Sequence, residues 1–329
     1  MPRRALITGV TGQDGSYLAE LLLDKGYEVQ GTTRNVDSES TRGLHRLVSE
    51  RGGTVRLHES SLQNDDEVTL LLDEVAPDEI YHLAAQSHVG LSFEKPLETL
   101  DANAGVTLRL LEAVRTLQGR GRDIRFFHAA SSEMFGRPTE SPQTERTPFV
   151  PRNPYATSKV CAFHLVANYR ETHGLYACSG ILFNHESPRR PERFVTRKVT
   201  LAAARIAAGL QETLTLGNLD IGRDWGFAGD YVDAMWRMLH QEQPTDLVIA
   251  TGRWHSLEEF LERAFRRVNL DWRDHVRQDP ALMRPAESGR LVGDASLARE
   301  RLGWQPTTTF EELVDRMVDA DMQWVVGRS

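Results

Sequence analysis

Four side chains in two short runs carry the chemistry legible in this chain. They are Ser131 and Glu133 in Ala130-Ser131-Ser132-Glu133, and Tyr155 and Lys159 in Asn153-Pro154-Tyr155-Ala156-Thr157-Ser158-Lys159. A Tyr-x-x-x-Lys spacing projects phenol and ammonium from one face of a helix. The neighbouring cation is expected to favour phenolate, pulling down a phenol whose ordinary pKa is about 10. A tyrosine so activated takes a proton from an alcohol while a nicotinamide accepts hydride from the same carbon. Glu133 is a second, separate base. Alcohol oxidation alone gives it no work, whereas removing the acidic proton beside the new ketone does.

Gly9-Val10-Thr11-Gly12-Gln13-Asp14-Gly15 lies between the strand-like run Ala5–Thr8 and a helical face of Tyr17, Leu18, Leu21 and Leu22. That context suits a dinucleotide loop, in which glycines permit a tight turn and close backbone approach, with pyrophosphate at the helix N-terminus. The candidate cofactor residues there are Gly9, Thr11, Gly12, Gln13, Asp14 and Gly15. Arg34 ends the next strand, where an acid usually meets the adenine ribose. Its charge fits a 2′-phosphate, so NADP is expected over NAD.

These groups need a frame. Strand-like runs at Tyr27–Thr33, Val55–His58, Ile80–Ala84, Ile124–Ala129 and Tyr176–Phe183 alternate with helical segments such as Glu67–Val75 and Ala104–Leu117. Asn153 as cap and Pro154 in the first turn open the helix bearing Tyr155 and Lys159. Such alternation predicts an α/β fold with a doubly wound parallel sheet. After Asn184 the texture shifts to segments rich in arginine, proline and glycine, suited to a second lobe over a substrate. Helices are expected at Val199–Gly209 and Asp230–His240. The division is residues 1–184, with a returning segment near 228–255, and an interleaved smaller lobe over 185–329.

The 329 residues suffice for a sizeable core, and a net charge of -8 with pI near 5.8 argues against nucleic-acid or anionic-membrane partners. No apolar stretch reaches the roughly 18 residues of a membrane span. Met1-Pro2-Arg3-Arg4 leads directly into a strand rather than a secretory segment, and cytoplasm is expected. Cys161 and Cys178 read as a reduced, buried pair. His88 and His185 lack metal-ligand spacing, and no metal is expected.

Longer runs carry a resemblance. Thr8-Gly9-Val10-Thr11-Gly12-Gln13-Asp14-Gly15-Ser16-Tyr17-Leu18, Leu83-Ala84-Ala85-Gln86-Ser87-His88-Val89 and Asn184-His185-Glu186-Ser187-Pro188-Arg189-Arg190 resemble the GDP-mannose 4,6-dehydratases. So do Phe194-Val195-Thr196-Arg197-Lys198, Arg223-Asp224-Trp225-Gly226 and Arg284-Pro285-x-Glu287. These enzymes are extended short-chain dehydrogenase/reductases with a Rossmann-type sheet and a smaller C-terminal substrate-binding lobe. The resemblance implies a cofactor site lined by Arg34, Ala84, Ala85, Gln86, Ser87, Tyr155, Lys159, His185 and Arg190. It implies GDP-mannose as substrate, met by Ser87, Asn184, Lys198, Arg223, Arg284 and Glu287. Arginine and lysine suit its phosphates. Tyr155, Lys159 and Ser131 would act at the sugar 4-hydroxyl and Glu133 at C5 and the 6-hydroxyl, giving a 4-keto-6-deoxy sugar nucleotide. The loop from Arg34 to Gly43 is similar to one used between subunits, so a homodimer or homotetramer is expected.

Four places depart from that pattern, one being Arg34-Asn35-Val36-Asp37, which replaces a more basic double-arginine start of that loop. Ser131 stands for the usual threonine and keeps its hydroxyl. Ser61-Leu62 replaces an aspartate-leucine that meets adenine. Glu98 replaces a tyrosine near pyrophosphate and is expected to turn outward or to be offset by a cation. Trp225 and Phe227 suit either a core or a base-stacking platform. A 4-epimerase, a 4-keto reductase or another sugar-nucleotide dehydratase would share the glycine loop and Tyr155/Lys159, and a non-catalytic dinucleotide sensor would share the fold. Glu133 argues for dehydration.

Overall fold

The computed structural model describes residues 2–282 and 289–327. Its first part alternates β1 (Arg4–Thr8), α1 (Gln13–Asp24), β2 (Glu28–Thr33), α2 (Glu39–Ser49), β3 (Val55–Glu59), α3 (Asp65–Val75) and β4 (Glu79–His82). Helices α4 (Val89–Glu94) and α5 (Pro96–Leu100) pass through a π turn, Asp101–Gly105, into α6 (Val106–Gln118). Then come β5 (Arg125–Ser131), α7 (Pro154–His173) and β6 (Ala177–Leu182). Beyond these are β7 (Asn184–Glu186), α8 (Val195–Ala207), β8 (Leu214–Leu216), β9 (Gly222–Arg223), β10 (Trp225–Phe227), α9 (Ala228–Met238) and β11 (Leu247–Ile249). Helices α10 (Leu257–Arg267), α11 (Trp272–His275), α12 (Ser296–Leu302) and α13 (Phe310–Val326) complete the described chain.

The main sheet has seven parallel strands in the order β11-β6-β5-β4-β1-β2-β3. It is the doubly wound architecture expected from the alternation. Both faces are covered, which is why β4 and β6 are buried at every residue and read as continuous runs. The winding reverses between β1 and β4, whose ends Thr8 and His82 are register partners. Ligands of such sheets bind at that reversal, beyond the carboxyl ends of the strands.

Helix α7 begins as its sequence dictates. The Asn153 side chain accepts from the Ala156 N–H, Pro154 occupies the first turn, and Gly174 ends the helix at a left-handed φ of 65°. Cys178 is buried in β6, but Cys161 is exposed on α7, so the expected buried pair is corrected to one buried and one exposed free thiol. Cys161 lies on the solvent side of a helix whose buried stripe is Tyr155, Ser158, Lys159, Ala162 and Val166.

After β10 the chain returns to the sheet. Helix α9 packs against α1, and β11 adds to the outer side of β6. On the far edge of β11 the Glu145 carboxylate accepts from the Val248 N–H at 2.8 Å. A separate apolar core joins α8, α10 and α13 around Trp225, Phe260, Phe265 and Phe310. There Asp321, with no exposed surface, accepts from Arg197 and Thr200 across the α8–α13 contact. Among the described residues no helix is long and apolar enough to cross a membrane, and no group of three or more His, Cys, Asp or Glu could hold a metal ion.

Candidate functional site

The glycine loop closes to backbone against backbone. Gly9 has a φ of 70°, and a Cβ there would stand 3.0 Å from the Ala84 Cα. At Gly15 a Cβ would fall 2.5 Å from the Gly9 carbonyl oxygen and 2.6 Å from the Val10 Cα. Gly12 heads α1 without a side-chain cap, leaving first-turn N–H groups open to an anion. This cradle, bordered by half-buried Thr11, fits a dinucleotide pyrophosphate.

Gln13 and Asp14 turn toward the segment following β6. The Gln13 amide donates to the His185 carbonyl at 3.0 Å and accepts from the Ser187 hydroxyl at 2.8 Å. His185 Nδ1 lies 2.8 Å from the Phe183 carbonyl and Nε2 lies 2.9 Å from the Asp14 carboxylate. Burial pulls the imidazole pKa down, but the Asp14 charge and hydrogen bond raise it above its ordinary value. Asp14 is moved the other way: burial pushes it up and His185 holds it below the usual carboxylate range. Arg190 pairs with Glu186 at 3.1 Å and lies over the Phe194 ring.

Ala84, Ala85, Gln86 and Ser87 follow β4 beside this cradle. Gln86 turns inward, its amide donating to the His88 carbonyl and to Thr99. It therefore shapes the turn. His88 caps α4 through Nδ1, accepting from the Leu91 N–H at 3.0 Å.

The four reactive side chains meet where β5 ends and α7 begins. Ser131 closes β5 and its oxygen accepts from the Glu133 N–H at 3.2 Å, seating Glu133 in a short 3-10 turn. The Glu133 carboxylate accepts from the Asn153 amide at 3.2 Å, and Asn153 also caps α7. The Ser131 hydroxyl lies close enough to the Tyr155 phenol to act on it, in the direction that lowers its pKa. Lys159, 3% exposed, donates to the Ala129 carbonyl at 2.9 Å. Asn153 was legible only as a helix cap; its second role, holding the carboxylate of Glu133, depends on a turn that spacing does not reveal.

The expected lowering of the phenol is corrected. Burial pushes Tyr155 up to about 12, against a smaller lowering by the Ser131 hydrogen bond, and the Glu133 charge raises it further. Burial also brings Lys159 down to about 8. Desolvation dominates both shifts, and the Lys159 ammonium is turned to a backbone carbonyl.

The residues expected at the sugar nucleotide are more scattered. Arg223, 8% exposed, donates to the Gly222 carbonyl at 2.8 Å, and Asn184 is the register partner of Trp225. Buried Asp224 accepts from Thr251, Gly252 and Gly293, joining three chain segments beside Arg223. Lys198 is exposed and donates to the Thr215 carbonyl at 2.7 Å. Arg284 and Glu287 lie outside the described residues. Trp225 is core, packed on Phe260 and Phe310, whereas Phe227 meets Tyr17 edge-on. Glu98 faces solvent and pairs with Lys95 at 3.0 Å.

Comparison with known proteins adds a family. A family model described as GDP-mannose 4,6 dehydratase matches residues 6–317. The chain is 53% identical over 328 residues to "GDP-mannose 4,6 dehydratase 1" of Arabidopsis thaliana, covering 98% of this chain and 91% of that protein. In shape it is similar to Thermus thermophilus UDP-glucose 4-epimerase in complex with NAD, with a TM-score of 0.82, 26% identity, and coverage of 97% and 98%. It is also similar to RMD from Pseudomonas aeruginosa complexed with NADPH, with a TM-score of 0.80, 26% identity, and coverage of 98% and 99%. NAD is named with further structures of this fold. The NADP expectation is therefore corrected: NAD is the form named with most of these structures. The residue read for it, Arg34, is exposed just past β2, where a solvated guanidinium does not by itself define a 2′-phosphate site.

Proposed function

Since the chain belongs to the GDP-mannose 4,6-dehydratase family, we propose that it removes water from GDP-mannose across C5 and C6, yielding the 4-keto-6-deoxy sugar nucleotide. The observation that carries this reading is Glu133, an oriented carboxylate beside the Ser131–Tyr155 pair. A base so placed, additional to Tyr155, is what elimination requires and simple oxidation does not.

Gly9, Gly12, Gly15 and the backbone of Ala84 to Ser87 would hold the dinucleotide, with Thr11, Gln13, Asp14, His185 and Arg190 around it. When bound, an oxidised nicotinamide dinucleotide supplies reversible redox chemistry at the sugar and a positive charge that favours phenolate. Tyr155 receives the proton of the 4-hydroxyl, with Ser131 holding the phenol oxygen. The resulting ketone acidifies the C5 proton, which Glu133 removes. The same carboxyl group then protonates the departing 6-hydroxyl, so its proton count is restored. The C5–C6 double bond left behind would take back a hydride equivalent at C6 and a proton at C5, matching those removed at C4 and its hydroxyl, so that Tyr155 and the dinucleotide end as they began. Asn153 holds this carboxylate throughout. Lys159 keeps positive charge beneath the site, and Arg223 with Asn184 faces the sugar nucleotide, Arg223 at its phosphates. A homodimer or homotetramer working in the cytoplasm is part of this reading, supported by the exposed leucines Leu97 and Leu100 and by the chain's composition.

Incubation with GDP-mannose, and separately with dTDP-glucose, UDP-N-acetylglucosamine and CDP-glucose, tests the reading directly. Mass analysis is expected to find loss of one water from GDP-mannose. A product of unchanged mass would instead mark a 4-epimerase.

The Lys159 pair state sets a pH limb. Its folded pKa is depressed to about 8, so the ammonium is present below that pH and is lost as pH rises through it. Turnover is expected to fall above about pH 8, and Lys159→Arg, which stays charged, should remove that limb from whatever activity it retains. An unchanged limb in that variant would assign it to another group.

A further inference from the structure

We propose that His82, acting with Thr8, Thr107 and Asn103, is a positioning residue that holds the dinucleotide-lining segment and the catalytic helix in register. The geometry assigns every hydrogen-bond direction in the chain of contacts. The Thr107 hydroxyl, buried on α6, lies 2.7 Å from the Asn103 carbonyl, which can only accept. Its single proton is thereby used, so toward His82 Nε2, 3.1 Å away, the oxygen accepts. Nε2 therefore carries the imidazole proton. Nδ1 is then the bare nitrogen and accepts from the Thr8 hydroxyl at 2.8 Å.

Thr8 in turn accepts from the Leu83 and Ala84 N–H groups, each at 3.1 Å. Both of its lone pairs are occupied, so a second imidazole proton would point at an oxygen with nothing left to give. Fixed geometry thus demands a neutral ring. Burial and the nearby Lys159 charge act in the same direction, bringing His82 down to about 3. The titratable neighbours are Lys159 of α7 and His128 of β5, whose ring centroid is 5.6 Å away and whose own pKa is also depressed by burial and Lys159.

At the other end the contacts run on into the catalytic helix. The π turn presents Asn103, wholly buried, whose side-chain oxygen accepts from the Gln86 N–H at 2.9 Å. Its amide donates to the Gln86 carbonyl at 3.2 Å and to the Ser158 hydroxyl at 2.8 Å. Ser158 donates to the Tyr155 carbonyl at 2.7 Å. Four backbone groups of the Leu83–Gln86 segment are thus held by two side chains that His82 bridges through Thr107. One end is anchored on β1 and the other on the residue bearing the phenol. A π turn at such a junction is a frequent mark of function.

The inference rests on the reading that residues 84–87 line the dinucleotide, so its test includes a readout independent of binding. Nitrogen NMR of the unmodified protein is expected to show His82 with Nε2 protonated and Nδ1 bare, unchanged between about pH 5 and 8, the range in which a free imidazole titrates. Thr107→Val keeps the shape and removes the acceptor. It is expected to weaken dinucleotide binding and lower kcat by about tenfold each, the scale of one buried donor left unpaired. The KM for sugar nucleotide should stay unchanged, and Thr107→Ser should restore both values. A titrating or Nδ1-protonated ring overturns the proposal. So does a Thr107→Val protein that melts earlier but binds dinucleotide and turns over normally, since that would be a structural role alone. Were no dinucleotide bound at all, the NMR result would still stand, and the functional reading would be what failed.

Discussion

Replacing Glu133 by glutamine is expected to abolish the 4-keto-6-deoxy product while leaving sugar-nucleotide binding near normal. Glutamine preserves the length of the side chain and can still meet Asn153, whose amide the carboxylate accepts at 3.2 Å. It cannot take a proton from C5 or return one to the leaving hydroxyl near neutral pH. General acid–base groups contribute about 10² to 10⁴ in rate. Because Glu133 serves in both capacities, the loss should lie toward the upper end. Tyr155→Phe should differ in kind, blocking oxidation at C4 as well as everything after it. Product mass and single-turnover absorbance distinguish the two variants. Deoxy product formed at an unaltered rate by Glu133→Gln would remove the elimination step from this carboxylate and return the chain to the epimerase or reductase reading.

Gly15→Ala is expected to remove dinucleotide binding. The added methyl would lie 2.5 Å from the Gly9 carbonyl oxygen, 2.6 Å from the Val10 Cα and 2.8 Å from the Val10 carbonyl carbon. All three are backbone atoms, so no side chain can rotate aside. The turn from β1 into α1 must open, and it is this turn that aims N–H groups at pyrophosphate. A loss of at least about 100-fold in affinity is expected, since several hydrogen bonds to a charged group depend on one conformation. Gly43→Ala is the control, because a Cβ there meets nothing within 4 Å and the residue lies in α2. Titration showing equal dinucleotide affinity for both variants would place the ligand elsewhere.

Much of this frame was legible because its physics is local. Asn153 and Pro154 announced the start of α7, and the glycine triplet announced the turn before α1. Strands buried on both faces read as apolar runs. The limits have physical causes too. The run Leu247–Ile249 is only three residues, too short to show a period, and becomes a strand because β6 supplies a partner. Burial of Tyr155 and Lys159 depends on packing remote in sequence, so the direction of the phenol shift could not be had from the spacing of the two residues. His82 and Asn103 are ordinary polar residues until the sheet register and the π turn bring them together. Arg34 failed for the opposite reason: its charge was visible, but not the solvent around it.

The return of β11 to the main sheet bears on how the protein is made. Strand β6, buried at every residue, is completed only by a segment that the ribosome delivers more than sixty residues later, after β7 to β10 and α8 have emerged. Until then the nascent chain presents an apolar strand with unpaired backbone groups, a template for pairing with other chains. Glu145, waiting upstream, covers the Val248 N–H once β11 arrives and places a charge on the finished edge. The two outermost strands on this side of the sheet are thus separated by a long excursion of the chain, and a fragment ending between β6 and β11 would retain the reactive residues of α7 while carrying an adhesive edge.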